Sequence, residues 1–225
     1  MTLPPLLAAM LGTMMAAGVT AVVLAGRRAE HIPAAVALVL LAVANVAQVA
    51  LGSALSPYPA EPWQGAARVL VYLDGAVVLG AAAVTPGLAL AVSVSPERRR
   101  RVVALVLAVW AVASLVLAAL YPSPLVRGAG LQRVYLAADL IGLAVSIVAL
   151  LGWARRTMAA DQWSGSAPMV AIGLVLLDLG ILLGPYSPWR GSLFAGRYDV
   201  VQVAIVVFFA AFATAQGVLW RFSKS

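Results

Sequence analysis

Residues Leu131–Trp153 read LQRVYLAADLIGLAVSIVALLGW and are closed by Arg155-Arg156. At about 1.5 Å of helical rise per residue, an apolar run of this length covers the ~30 Å hydrocarbon core of a bilayer. It therefore predicts a transmembrane helix, with Arg133 at one mouth and Asp139 roughly 9 Å further in. Searching outward for runs of the same kind gives six more: Leu6–Leu24, Ile32–Leu55, Val69–Val94, Val102–Leu120, Met169–Leu183 and Tyr198–Trp220. Each ends in residues suited to a bilayer exit: Arg27-Arg28, Pro57-Tyr58-Pro59, Pro96 with its arginines, Pro122 and Pro124, Pro185, and Arg221. The first run follows Pro4-Pro5 with no basic residue before it, which favours a first span over a cleaved signal peptide.

Composition agrees. Of 225 residues, 64% are hydrophobic and 10% charged, whereas soluble domains are about half apolar and a quarter charged. A mean hydropathy of +1.01 over the whole chain leaves no stretch polar enough for a separate soluble module. Residues 1–225 are thus expected to form a single seven-helix transmembrane domain, an all-α bundle.

Several chemistries are excluded at this stage. With no cysteine there is no disulfide, thiol nucleophile, thiolate metal site or iron–sulfur cluster. The single histidine, His31, cannot make a bis-histidine haem site or a multi-histidine metal centre; beside Glu30 it reads as an exposed loop residue. No HExxH, GxSxG or Walker motif occurs, so no catalytic residue, metal ligand or cofactor site is assigned and no enzymatic activity is expected.

Basic residues set the direction. Arg27, Arg28, Arg98, Arg99, Arg100, Arg101, Arg155, Arg156, Arg221 and Lys224 fall on one side of a seven-span topology, and Arg68, Arg127, Arg133, Arg190 and Arg197 on the other. The richer side is expected to be cytoplasmic, with the N-terminus outside and the C-terminus inside, in a prokaryotic-type cell membrane. The net charge of +7 then belongs to loops facing anionic lipid, not to a nucleic-acid surface.

Three outer connections open alike: Ser56-Pro57-Tyr58-Pro59, Tyr121-Pro122-Ser123-Pro124 and Pro185-Tyr186-Ser187-Pro188. The register carries into the following helices, since one offset relates Arg68 to Arg133 and Asp74 to Asp139; the third copy keeps Arg197 and moves its acid to Asp199. This predicts three parallel two-helix repeats after an extra first helix, related by an axis along the membrane normal.

Four acids lie within or at the mouth of spans: Asp74, Asp139, Asp178 and Asp199. An ionised group there is costly unless it is paired or faces water. All four belong to the outer half, together with Asn45 and Gln48 on one face of the second span, Gln202 one turn from Asp199, and Tyr135 one turn from Asp139. The expectation is an outward-facing acidic cavity for a small solute or cation, with Arg68, Arg133 and Arg197 as charge partners. A closed arginine–aspartate network that only fixes helix packing would use the same residues. Within the spans the inner half offers only Thr20, Thr85, Ser93, Ser146 and Thr214, with Gln216 near the end.

Seven spans, Tyr72-Leu73-Asp74 in the third and an acid at the outer end of the seventh make the topology similar to that of the microbial rhodopsins. That family's retinal needs a lysine inside the seventh helix, and the sole lysine here, Lys224, lies beyond it; no retinal is expected. Three functions fit the sequence. One is a transporter or channel for a small solute or cation. Another is a non-catalytic, anchoring subunit among other membrane chains or in a homo-oligomer. The third is a retinal-free sensor signalling through a separate partner.

Overall fold

The computed structural model describes residues 5–28, 31–56, 60–123, 129–160, 166–183 and 198–222, and among these it is all helical. The helices are α1 (Pro5–Ala25), α2 (Ile32–Ala54), α3 (Gly65–Ala82), α4 (Val84–Ser93), α5 (Pro96–Leu120), α6 (Ala129–Ala160), α7 (Ala167–Leu183) and α8 (Tyr198–Phe222). Every apolar run read from the sequence falls on helix. Four stretches are long and apolar enough to cross a membrane: Pro5–Ala25, Ile32–Ala54, Gly65–Ser93 and Arg133–Thr157. Ala108–Leu120, Ala167–Gly180 and Gln202–Val218 are shorter apolar helices.

The exposed surface fits a membrane protein. On α5, Leu105, Val109, Val112 and Val116 recur at helical spacing and are at least half exposed, an arrangement that water would penalise and lipid tails accept. The interior is built from small residues as much as large ones. Ala17 and Ala21 of α1, Ala34 and Ala37 of α2, and Ala89 of α4 are buried, and Gly18 lets α1 approach the backbone of α2 at Val39. Such residues allow the close helix contact that membrane bundles depend on.

The third apolar run is one stretch in the sequence but two helices in the fold. Pro86 has no N–H to give the carbonyl of Ala82, four residues back, so the regular ladder is interrupted there. The chain turns at Ala83, whose N–H is shared between the carbonyls of Leu79 and Gly80, both at 3.2 Å. Beyond the break α4 is buried on nearly every side, from Val84 to Val92. It is wedged among α2, α5, α6 and α7.

That wedge overrides the expected repeat. α2 lies along α3 and α4, but α5 packs on α3 and α4 and meets α6 where Trp110 reaches Gly142. α8 packs chiefly on α1. The three two-helix units therefore do not pack alike, although their connecting sequences match.

Contacts at the ends of the bundle join connections that the sequence assigns to the same side. At one end His31 Nδ1 lies 2.6 Å from the Ser166 hydroxyl, Arg27 stacks 4.7 Å over the Trp220 ring, and Arg156 donates to the carbonyl of Ser93. At the other end the Tyr135 hydroxyl donates to the carbonyl of Tyr121 at 3.1 Å. His31 is thus not the exposed loop residue expected. It is buried because the residue that opens α7 folds back onto it, and the Ser166 N–H also donates to Nδ1 at 3.3 Å.

Candidate functional site

A cavity of about 300 Å³ opens among the helices of the bundle and is lined from seven of them. Each helix contributes one stripe at helical spacing: Leu41 and Asn45 on α2, Asp139 and Leu143 on α6, Leu174, Leu177, Asp178 and Leu182 on α7, and Ile205 and Phe209 on α8. The broken segment supplies Ala82, Thr85 and Pro86. Two carboxyls, one amide and one hydroxyl therefore face a space that is otherwise apolar.

The polar groups are held in place. The Asn45 amide nitrogen donates to the Leu41 carbonyl at 2.9 Å, which fixes its rotamer. Thr85, Asp139 and Asp178 line the same cavity, near enough for the Thr85 hydroxyl and the Asp139 carboxyl to act electrostatically on the Asp178 carboxyl. The helix break is braced from two sides. The Trp110 indole N–H donates to the Leu79 carbonyl at 3.1 Å, and Gly142, three residues after Asp139, leaves room for the Pro86 ring; a Cβ there would lie 3.4 Å from it.

Of the residues expected to share one outer site, the structure brings together Asp139, Asp178 and Asn45. Asp74 is elsewhere. It is 4% exposed and accepts a hydrogen bond from the Ser123 hydroxyl, while the Ser123 N–H donates to the Val71 carbonyl at 3.3 Å. Tyr135 is buried beside this group, so Asp74, Ser123 and Tyr135 form a clamp that holds the Tyr121–Ser123 turn against α3. Gln48 and Gln202 are half-buried and do not line the cavity. The side chain of Asp199, and Arg197, lie outside the described residues.

The expected charge pairs are also absent among the described residues. Arg68 is exposed and stacks 5.6 Å from the Tyr72 ring; Arg133 is exposed. The reason is helical geometry. A spacing of six residues turns about 600°, which leaves Arg68 and Asp74, or Arg133 and Asp139, roughly 120° apart around their helix. The two cavity carboxyls therefore have no cationic side chain beside them among the described residues.

Thr85, Pro86, Trp110 and Gly142 were not singled out as site residues by the sequence. The available signal was Pro86 inside an apolar run, where a proline breaks the ladder at the residue four before it.

The clamp makes a prediction of its own. Ser123→Ala removes the donor of a buried hydrogen bond and should lower stability by about 1–3 kcal/mol, while Asp74→Asn replaces a carboxylate acceptor by a weaker amide oxygen and should lower it by less. Thermal melting in detergent checks this, and unchanged melting of both variants would contradict a packing role. No protein-family model, curated protein or solved structure is similar enough to this chain to count as a match.

Proposed function

We propose that the protein is a seven-span membrane transporter that binds a cation or a cationic small solute in the cavity lined by Asp139 and Asp178. The observation that carries this reading is the pair of carboxyls from α6 and α7, set in one apolar cavity without an arginine or lysine beside them among the described residues. Two carboxylates close together in a poorly solvated space repel each other and are costly to desolvate, and a bound cation offsets both effects.

The broken helix supports transport over passive binding. Interrupted helices at the membrane midplane are a common way to line a substrate site and to let half a helix move. Here Ala83, between α3 and α4, is the natural hinge, with Thr85 and Pro86 on the cavity wall. Seven crossings are supported by the end contacts, which join connections of like side, and the outer N-terminus and inner C-terminus rest on the distribution of basic residues. The apolar inner half of the bundle serves as the closed gate in this state.

Purified protein reconstituted in liposomes tests the proposal. Saturable uptake of a cationic solute, lost in Asp139→Asn, is the expected result. Flux equal to empty liposomes would overturn transport. If binding in the cavity persisted without flux, the sensor reading would replace it.

A further inference from the structure

We infer that the ligand of this cavity is a lipophilic organic cation, with one ammonium centre on an apolar body, and not an inorganic ion. The inference rests on the proposed cation-binding role of Asp139 and Asp178 and adds the chemical class of the solute.

Volume and wall chemistry both point this way. A space of about 300 Å³ is at the lower end of cavities that hold organic ligands, which are mostly apolar with a few placed polar groups. A calcium ion asks for six to eight oxygens at about 2.3–2.6 Å, and magnesium for a near-octahedral set. The cavity does not have that form. Its oxygens are spread over α2, α4, α6 and α7 among leucine and isoleucine side chains. Among the described residues no three His, Cys, Asp or Glu side chains gather as a metal site. A strongly hydrated ion entering this space would exchange water for leucine and isoleucine walls, whereas a quaternary or tertiary ammonium carries its own apolar shell.

Phe209 supplies the second half of the recognition. It lines the cavity, is 2% exposed, and is held in a T-shaped contact with Phe208 at 5.3 Å between centroids. A fixed aromatic ring at the wall of a mostly apolar cavity attracts an organic ammonium through its quadrupole and covers the apolar part of the same molecule. The carboxyl pair then sets charge, and Phe209 with the leucines sets preference for a lipophilic body.

Equilibrium binding to the purified full chain in detergent tests this with three probes: benzyltrimethylammonium, benzyl alcohol as a neutral aromatic, and radiolabelled sodium or calcium. Benzyltrimethylammonium is expected to bind saturably and at least about tenfold tighter than the other probes. Phe209→Leu is expected to weaken it about three- to tenfold. Asp139→Asn should weaken it further, and Asp139→Glu, which keeps the charge, should retain binding if the asparagine variant proves unstable. Saturable, Asp139-dependent sodium or calcium binding that the organic probe does not displace would overturn the inference and leave the cation site standing. Binding of benzyl alcohol as tight as that of the cation, or no binding of any probe, would overturn both.

Discussion

Gly75→Ala is expected to cost the protein most of its stability, more than any substitution in the cavity. A Cβ at this position would sit 2.6 Å from the Tyr135 hydroxyl oxygen and 3.0 Å from the backbone nitrogen of Ser123. Neither neighbour can give way freely. Tyr135 is 1% exposed and its hydroxyl is tied to the Tyr121 carbonyl; the Ser123 N–H is tied to Val71. Overpacking of a rigid core costs about 1–3 kcal/mol, and here breaking the clamp adds to it. The expected readout is a large fall in melting temperature in detergent and a low yield of monodisperse protein. Adding Tyr135→Phe removes the closest atom and should restore part of the loss. Gly173→Ala provides the contrast. Its Cβ would meet the tips of the Phe212 and Phe208 rings, at 2.8 and 3.1 Å, and side-chain ends can rotate where a backbone cannot. Melting of Gly75→Ala equal to that of the wild type would contradict the clamp.

Asp139→Asn and Asp178→Asn are expected to show the opposite signature. Each change keeps the volume of the side chain and removes its charge. Within the cavity that relieves repulsion between two carboxyls, so stability should hold or rise. Binding of a cation should weaken in each and collapse when both are changed, because a cation left without any buried partner loses about 3–5 kcal/mol, a factor of more than a hundred. Asp74→Asn should do the reverse, with melting lowered and binding retained. The two aspartates related by the sequence repeat are thereby separated by experiment into a packing residue and a binding residue.

That separation is not legible in the sequence. The apolar runs were legible because length and composition alone decide which segments suit a bilayer, and each run proved to be helix. The break at Ala83 was not read, although Pro86 announced it, because hydropathy treats proline within an apolar run as one residue among many. Asp74 and Asp139 looked equivalent because a shared offset reports ancestry or chance, not surroundings. Only the meeting of helix faces distinguishes them: the residue after Asp74 is Gly75, which admits Ser123 and Tyr135, while Asp139 looks across to Asp178. Helical spacing gives the face of each helix and leaves open which faces meet. Arg68 and Arg133 were assigned as partners by depth alone, and the 120° of rotation around the helix was what removed them.

Because the chain has no cysteine, single introduced thiols can report whether Asp139 and Asp178 make one anionic cavity distinct from the Asp74 clamp. Asn45→Cys places a thiol on the cavity wall, and Ser123→Cys places one in the clamp. The rate of modification of each is measured with a trimethylammonium thiosulfonate and with a neutral thiosulfonate of similar size, each normalised to its rate with a free thiol in water. The cationic reagent should be favoured at Asn45→Cys by about tenfold or more, Asp139→Asn with Asp178→Asn should remove the preference, and Ser123→Cys should stay unreactive. Equal normalised rates for the two reagents at Asn45→Cys, or a preference that survives loss of both carboxyls, would contradict such a cavity.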